Sequence, residues 1–285
     1  MNGTRAVLVL SGGGAKTAAQ VGAWRAITEA GFEIVACIAT SMGAVIGAAL
    51  SAGRTPGELV HDVRQLRRRD IAALNPAAFL PGLGARSLLR EAPLRRTIER
   101  LVPARSFDDC RIPLTVAATD LDSRQLVWFG ARGQDVPLMD ALYASVALPL
   151  YYPPGVIGGR RYADGGLRAV LPLEGAGGVD ADLVVAVDVG PGFDEPESTA
   201  PSAVPRLVAA YNEATAILMA TNTQLQVARW RSHSAPGASR PKLVYIRPRV
   251  ERGATFRISA VESYAAEGHR AAAGALRDFR SSSGA

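Results

Sequence analysis

The chain has 285 residues, of which 48% are hydrophobic, and its formal net charge at pH 7 is +6. Such a composition supports a large buried core, which excludes an intrinsically disordered protein. The apolar runs have the length of strands, and none reaches the roughly 20 residues that a membrane-spanning helix requires. The first apolar run is also too short for a secretory signal, so we expect a cytoplasmic protein, with peripheral membrane contact left open.

Buried strands alternate with helices along the first part of the chain. Strands are predicted over residues 5–10 and 34–39, and helices over 17–30, over 42–52 and from Thr55 onward. Strands that are apolar throughout are typical of a parallel sheet covered on both faces. The pattern therefore predicts an α/β fold, a three-layer sandwich with a central, mostly parallel sheet.

The second part of the chain continues the pattern without a convincing linker. Its predicted elements are two strands within 113–130 joined by a turn near 120–123, strands at 182–188 and 242–247, and helices at about 206–231 and 259–279. We predict a single domain over residues 1–285, with a motif-bearing core of about 5–190 and the elements of about 206–279 packed on it. The oligomeric state is left open.

Three features have two interpretations each. The stripe in the 206–231 helix is expected to pack on the sheet, with a partner-binding helix as the alternative; it comprises Leu207, Tyr211, Ala214, Leu218, Leu225 and Ala228. The apolar segment 74–92 is either a lid or a plain connector. The arginines at 67–69 and 95–96 form a solvated helix face or attract anionic lipid headgroups. No nucleic-acid motif accompanies them, so we expect no nucleic-acid partner.

A serine lies at the junction between the second strand and the following helix. Ser41 is flanked two places away by Ala39 and Gly43, which is the arrangement of a nucleophile elbow, where a strained turn tolerates only small neighbours. The usual pattern has glycine at both places, and Ala39 departs from it by one methyl group. The alternative interpretation is a serine that caps the helix beginning at Met42.

A glycine-rich loop follows the first strand. Gly12, Gly13 and Gly14 stand between a strand and a helix, where backbone N–H groups can bind an anion. The spacing fails the phosphate-loop motif and the dinucleotide motif, so an oxyanion hole is the better candidate. Lys16 could orient this loop or bind an anionic headgroup, or it is a surface lysine.

Four motifs in the same order resemble the patatin-like phospholipase family. They are the Gly12–Lys16 loop, the Ser41 turn, the segment Ala144-Ser145-Val146-Ala147-Leu148-Pro149 and the turn Asp164-Gly165-Gly166. The resemblance covers roughly residues 5–190. In the family an Asn is often found shortly before the following Pro, where this chain has Ala169 and Val170, and Thr17 replaces a frequent Gly.

The resemblance implies a serine acyl hydrolase that cleaves lipid carboxylic esters, of the phospholipase A or lysophospholipase type. Ser41 would be the nucleophile and Asp164 its base, while Gly12, Gly13 and Gly14 would donate N–H groups to the oxyanion. No metal or cofactor would be needed. It also implies a structural role for the segment around Ser145, although the residues alone leave Ser145 open as a second nucleophile.

Other interpretations remain open from the residues alone. Asp164 could belong to an ordinary turn, and His233 or His269 could complete a triad with a serine. A soluble esterase or thioesterase for short acyl chains, or a non-catalytic lipid-binding protein of the same fold, would also carry these motifs. A nucleotide-binding protein ranks last.

Overall fold

The computed structural model describes residues 4–79, 87–194, 205–232, 241–251 and 257–283, and its centre is an eight-stranded sheet. The strand order is β5-β6-β3-β2-β1-β7-β8, and β4 also pairs with β3. The strands are β1 (Arg5–Leu10), β2 (Glu33–Thr40), β3 (Leu114–Asp120), β4 (Leu126–Gly130), β5 (Gly155–Ile157), β6 (Arg160–Asp164), β7 (Leu183–Val187) and β8 (Lys242–Ile246).

The middle of the sheet is parallel and one side is antiparallel. β3, β2, β1, β7 and β8 pair in parallel, whereas β4 and β6 run antiparallel to β3 and β5 runs antiparallel to β6. This arrangement confirms the predicted mostly parallel sheet. It places the carboxyl ends of β1 and β2 next to each other, where the glycine loop and Ser41 follow.

Alternate residues of β1 point into two separate cores. Leu8 and Leu10 belong to the core on one face of the sheet, and Val7 and Val9 belong to the core on the other face. Both faces are therefore covered, as in a three-layer α/β sandwich. The helices are α1 (Ala18–Glu29), α2 (Met42–Ser51), α3 (Pro56–Arg64), α4 (Arg68–Ile71), α5 (Glu91–Leu101), α6 (Leu138–Val146), α7 (Arg206–Ser232) and α8 (Val261–Ser283).

Helix α7 uses a different face from the one that the sequence pattern predicted. Leu207, Leu218 and Leu225 of the predicted stripe are 87%, 71% and 62% exposed, so the expectation that the stripe packs on the sheet is wrong. The residues that α7 buries are instead Ala220, Thr223, Val227 and Trp230. The error arose because α7 carries apolar residues on more than one side, so periodicity alone did not fix the buried side.

The segment predicted as a lid or connector, 74–92, is only partly described, because residues 80–86 lie outside the described ranges. Its two ends are joined by an isolated antiparallel bridge between Leu74 and Leu89. The N–H groups of Leu88 and Leu89 donate to the carbonyls of Leu150 and Tyr151, which fixes the second end against the rest of the domain. In the described part of the chain, every helix is too short or too polar to cross a bilayer.

Candidate active site

Ser41 occupies a strained turn between β2 and α2. Its backbone angles are φ 56° and ψ −136°, a conformation that L-residues rarely adopt. This turn projects the Ser41 side chain towards the glycine loop, because a Cβ atom added to Gly12 would lie 3.1 Å from Ser41 Cβ. The geometry is that of a nucleophile elbow.

The residues around Ser41 are small for steric reasons. A Cβ atom on Gly43 would lie 2.3 Å from the Ser11 carbonyl oxygen, so only glycine fits there without a shift of the backbone. Ala39, which departs from the usual elbow pattern, is fully buried, and a Cβ on Gly47 would lie 3.6 Å from Ala39 Cβ. The methyl group of Ala39 is therefore accommodated beside a glycine of α2.

We expect Gly43→Ala to destabilise the protein by about 2 kcal/mol or more, because the added methyl group overlaps backbone that cannot rotate away. Gly57→Ala is the matched control, since nothing lies within 4 Å of a Cβ at that helical position. Alanine there should be neutral or slightly stabilising. Urea unfolding of both variants measures the difference, and equal stabilities would contradict the close approach of the elbow to the glycine loop.

Asp164 ends strand β6 and faces Ser41. The Ser41 hydroxyl donates to Asp164 Oδ2 at 2.6 Å, and the Gly166 N–H donates to Oδ1 at 2.7 Å. Strand β3 fixes the position of this residue, because Asp164 is paired with Ala118 and its carbonyl accepts a hydrogen bond from Thr119 Oγ1. The structure thus brings together the serine and the aspartate that the sequence singled out.

The Asp164 carboxyl group is buried, and this burial raises its pKa from 3.8 to about 6. The hydrogen bonds from Ser41 and Gly166 act in the opposite direction, because they stabilise the charged form. A carboxylate with a pKa near neutrality is a better proton acceptor than an ordinary aspartate and is still ionised at pH 7.

Ser145 stabilises the Ser41 turn through a hydrogen bond to its backbone. Its hydroxyl accepts a hydrogen bond from the Ser41 N–H at 2.8 Å and donates one to the Ala117 carbonyl at 2.7 Å. The side chain is fully buried, so Ser145 is a positioning residue and not a second nucleophile. The resemblance predicted a structural role for this segment, but the sequence did not show that Ser145 contacts the Ser41 turn.

The glycine loop differs in one respect from the expectation. The Gly12 N–H donates to the Val170 carbonyl at 3.0 Å, so it is not available to an oxyanion. The N–H groups of Gly13 and Gly14 have no acceptor within the residues that the structure describes. Gly14 has φ 57°, and a Cβ atom on Gly13 would lie 2.7 Å from the Val189 carbonyl oxygen, so both positions favour glycine.

Two backbone carbonyls from one segment connect the glycine loop to the Ser41 strand. Val170 accepts from Gly12 N–H, and Ala169 accepts from Thr40 Oγ1 at 2.9 Å. These two residues stand where the family often has an Asn. Because both contacts use main-chain oxygens, the missing Asn side chain does not remove them.

The loop is also supported by two buried polar side chains that the sequence analysis did not single out. Ser11 Oγ accepts from the Val189 N–H at 2.8 Å and donates to the Gly12 carbonyl at 2.9 Å. Gln20 Nε2 donates to the Ser11 carbonyl at 2.8 Å. The feature of the sequence that could have indicated this contact is a glutamine on an otherwise apolar helix face.

The structure decides between the interpretations of Lys16 and of His269 that the sequence left open. Lys16 is only 4% exposed, so the surface-lysine interpretation is wrong. His269 Nε2 lies 2.7 Å from Glu29 Oε2, whereas Asp164 accepts from Ser41 directly, so His269 does not form a triad with them. His233 lies outside the described residues. Among the described ranges, no group of three His, Cys, Asp or Glu residues could hold a metal ion.

Comparison with known proteins shows the family of this chain. The sequence model of the patatin-like phospholipase family matches residues 8–176. An uncharacterized NTE family protein of Mycobacterium tuberculosis is 37% identical over 202 residues, which cover 69% of this chain and 54% of that protein. Human patatin-like phospholipase domain-containing protein 6 is 28% identical over 192 residues, which cover 67% of this chain and 14% of that protein.

Among solved structures, VipD from Legionella pneumophila superposes with a TM-score of 0.47 at 15% identity, covering 96% of this chain and 67% of that chain. The chain thus spans about half the length of its mycobacterial relative and a smaller share of the human one. The family match includes the glycine loop, Ser41 and Asp164. The chain belongs to the patatin-like phospholipase family.

Proposed function

We propose that this protein is a serine acyl hydrolase that cleaves carboxylic ester bonds of lipids, of the phospholipase A or lysophospholipase type. The observation that carries the proposal is the 2.6 Å hydrogen bond from the Ser41 hydroxyl on the strained turn to the buried Asp164 carboxylate. A nucleophile in hydrogen-bond contact with a base of raised pKa has the arrangement that nucleophilic catalysis requires.

In the first half of the proposed reaction, Ser41 Oγ attacks the ester carbonyl carbon and its proton passes to Asp164. The negative charge that develops on the carbonyl oxygen is stabilised by the N–H groups of Gly13 and Gly14, at the positive end of the helical turn that begins with Gly14. Collapse of this intermediate breaks the ester C–O bond. The leaving alcohol takes the proton from Asp164, and the acyl group stays on Ser41.

In the second half, Asp164 accepts a proton from a water molecule as that water attacks the acyl-Ser41 ester. The same two N–H groups stabilise the second oxyanion. Breakdown of the intermediate returns the proton to Ser41 Oγ and releases the carboxylic acid. The role of Gly166 is to keep Asp164 oriented, since its N–H holds the oxygen that does not face Ser41. No cofactor takes part in these steps.

A lipid substrate is supported by the surface beside this site. Helix α7 lies over the segments that lead to and from Asp164, because Tyr211 Oη donates to the Pro149 carbonyl and Gln226 Nε2 donates to the Arg168 carbonyl. Its outward side exposes Leu218 and Leu225, and residues 214–228 contain no charged side chain. Clustered exposed apolar side chains are typical of contact surfaces for membranes or proteins.

The experiment that tests the proposed function measures fatty acid release from phosphatidylcholine and lysophosphatidylcholine by the purified chain. We expect release that requires Ser41 and Asp164. Release from short-chain soluble esters alone would favour the soluble esterase. Binding of either lipid without any release would favour the non-catalytic lipid-binding protein.

We expect Leu218→Gln with Leu225→Gln to lower hydrolysis of vesicle phospholipid by roughly tenfold or more, because each leucine that leaves water on a bilayer contributes about 1.5 kcal/mol or more. Hydrolysis of a soluble short-chain ester should be unchanged, since neither residue contacts Ser41 or Asp164. The measurements are the two rates together with vesicle co-sedimentation.

Leu74→Gln is the matched control, because Leu74 is as exposed as Leu225, at 62%, but lies outside α7. Equal losses on vesicles and soluble ester, or an equal loss in the Leu74 variant, would contradict the assignment of this face to a lipid surface. If gel filtration showed that the double variant converts a dimer to a monomer, the face would belong to a second copy of the chain.

A further inference from the structure

Four arginine side chains surround one open cavity on the α4–α5 side of the molecule. The cavity has a volume of about 460 Å³ and is lined by Arg69, Arg90, Arg96 and Arg100, together with Asp70, Ala73, Pro93 and Thr97. Arg69 belongs to α4, Arg90 immediately precedes α5, and Arg96 and Arg100 lie one turn apart on α5. The two arginine groups noted in the sequence thus each contribute one residue to a single cavity.

These four guanidinium groups are not neutralised. Within the described residues, none of them makes an ion pair or a side-chain hydrogen bond. Other arginines are paired with carboxylates, among them Arg5, Arg25, Arg54, Arg64, Arg95, Arg160, Arg161, Arg247, Arg257 and Arg270. Single unpaired arginines occur elsewhere on the described surface, so the cavity is distinguished by the four unpaired guanidinium groups that line one space.

Only one carboxylate, that of Asp70, lines the cavity beside the four arginines. Asp70 Oδ2 accepts a hydrogen bond from the Arg67 N–H at 2.8 Å, which closes the first turn of α4. The beginning of α5 adds to the positive field, since Arg90 is its N-cap residue and Pro93 belongs to its first turn. Like charges held around one space repel each other, and a bound anion would relieve that repulsion.

We propose that this arginine cavity binds a compound that carries two or more phosphate groups. Arginine forks match the oxygens of phosphates in a bidentate manner, and four guanidinium groups around one space favour a ligand of high negative charge, which several phosphate groups supply. The volume lies in the range of pockets that hold small organic ligands, so it exceeds the needs of a single phosphate ion. The site is separate from Ser41, and the inference does not depend on the proposed hydrolase activity.

The test titrates the full chain with inorganic tripolyphosphate by calorimetry and measures its co-sedimentation with phosphatidylcholine vesicles that contain phosphatidylinositol bisphosphate. Vesicles with phosphatidylserine at the same surface charge are the comparison. The site variant is Arg96→Gln with Arg100→Gln. The matched control is Arg105→Gln with Arg124→Gln, two exposed arginines outside the cavity that make no ion pair in the described part of the chain.

We expect saturable binding that weakens at least roughly tenfold in the site variant, because each lost contact is a charge-assisted hydrogen bond. The control variant should stay within about twofold, since remote charges are screened. Binding of tripolyphosphate identifies a soluble ligand, whereas binding confined to the bisphosphate vesicles identifies a lipid headgroup. The proposal is overturned if neither probe binds, or if both variants lose binding equally.

Discussion

Replacement of Ser41 by alanine is expected to lower ester hydrolysis by roughly 10³- to 10⁶-fold, the range found when a catalytic serine is removed. The reason is chemical, because no other hydroxyl group in the described part of the chain donates a hydrogen bond to the Asp164 carboxylate. Asp164→Asn should cause a loss of similar size, since an amide cannot accept the Ser41 proton. Steady-state kinetics with a soluble chromogenic ester measures both losses in kcat/KM.

Ser51→Ala is a suitable control for this series. Ser51 is fully buried and ends the same helix, α2, that begins directly after Ser41. Its loss should leave kcat/KM within a few-fold of the wild-type value. If Ser41→Ala retained more than about a tenth of the activity while folded, the nucleophile would have to be another group.

Asp164→Asn is expected to stabilise the folded protein at about pH 8, by up to about 3 kcal/mol, even though it removes activity. Ionised Asp164 is buried, and burial raises its pKa from 3.8 to about 6. Each unit of that shift corresponds to about 1.4 kcal/mol of cost for the charged form. Asparagine keeps both contacts, because its amide can donate to Ser41 Oγ and its oxygen can accept from Gly166 N–H.

The sign of the pH dependence follows from the direction of the shift. Because the folded-state pKa is raised, wild-type stability relative to the variant falls as pH rises from about 4 to about 6, and the difference is small below pH 4. Urea unfolding at several pH values measures it. A difference that does not change with pH, or a less stable variant at about pH 8, would contradict the buried charge.

Asp120→Asn is a control substitution for which we expect the opposite change in stability. Burial raises the pKa of Asp120, but hydrogen bonds from Ser123 N–H, Asp122 N–H and Arg160 outweigh it and hold the pKa below its usual range. This carboxylate therefore stabilises the fold at neutral pH, and its replacement should destabilise the protein there. The two neighbouring strands β3 and β6 thus end in buried aspartates with opposite effects on stability.

The parallel part of the sheet could be predicted from the sequence because its strands are apolar without interruption. β1, β2 and β7 were recognised by composition, and their boundaries differ from the predictions by one residue or less. The elements that were not predicted from the sequence are α4, α5, α6 and the hairpin of β5 and β6. The hairpin strands are short and partly exposed, so they lack the strong apolar pattern of the central strands.

The residues of the candidate site that belong to sequence motifs could be predicted from the sequence. Ser41 and Asp164 come together in the structure because β2 and β6 both pair with β3. The exception is Gly12, whose N–H group is occupied by the Val170 carbonyl. That contact joins residues that are far apart in the chain, so no local sequence pattern predicts it. The same holds for Ser145 and Gln20, whose roles depend on which backbone atoms lie beside them.

If Ser41 is an activated nucleophile, a fluorophosphonate probe should label it covalently. We predict a covalent adduct on the peptide that contains Ser41 in the wild-type protein, no adduct in Ser41→Ala and much slower labelling in Asp164→Asn. Peptide mass spectrometry identifies the modified residue. An adduct on a different serine, or a folded wild-type protein that forms none, would mean that Ser41 is not an activated nucleophile.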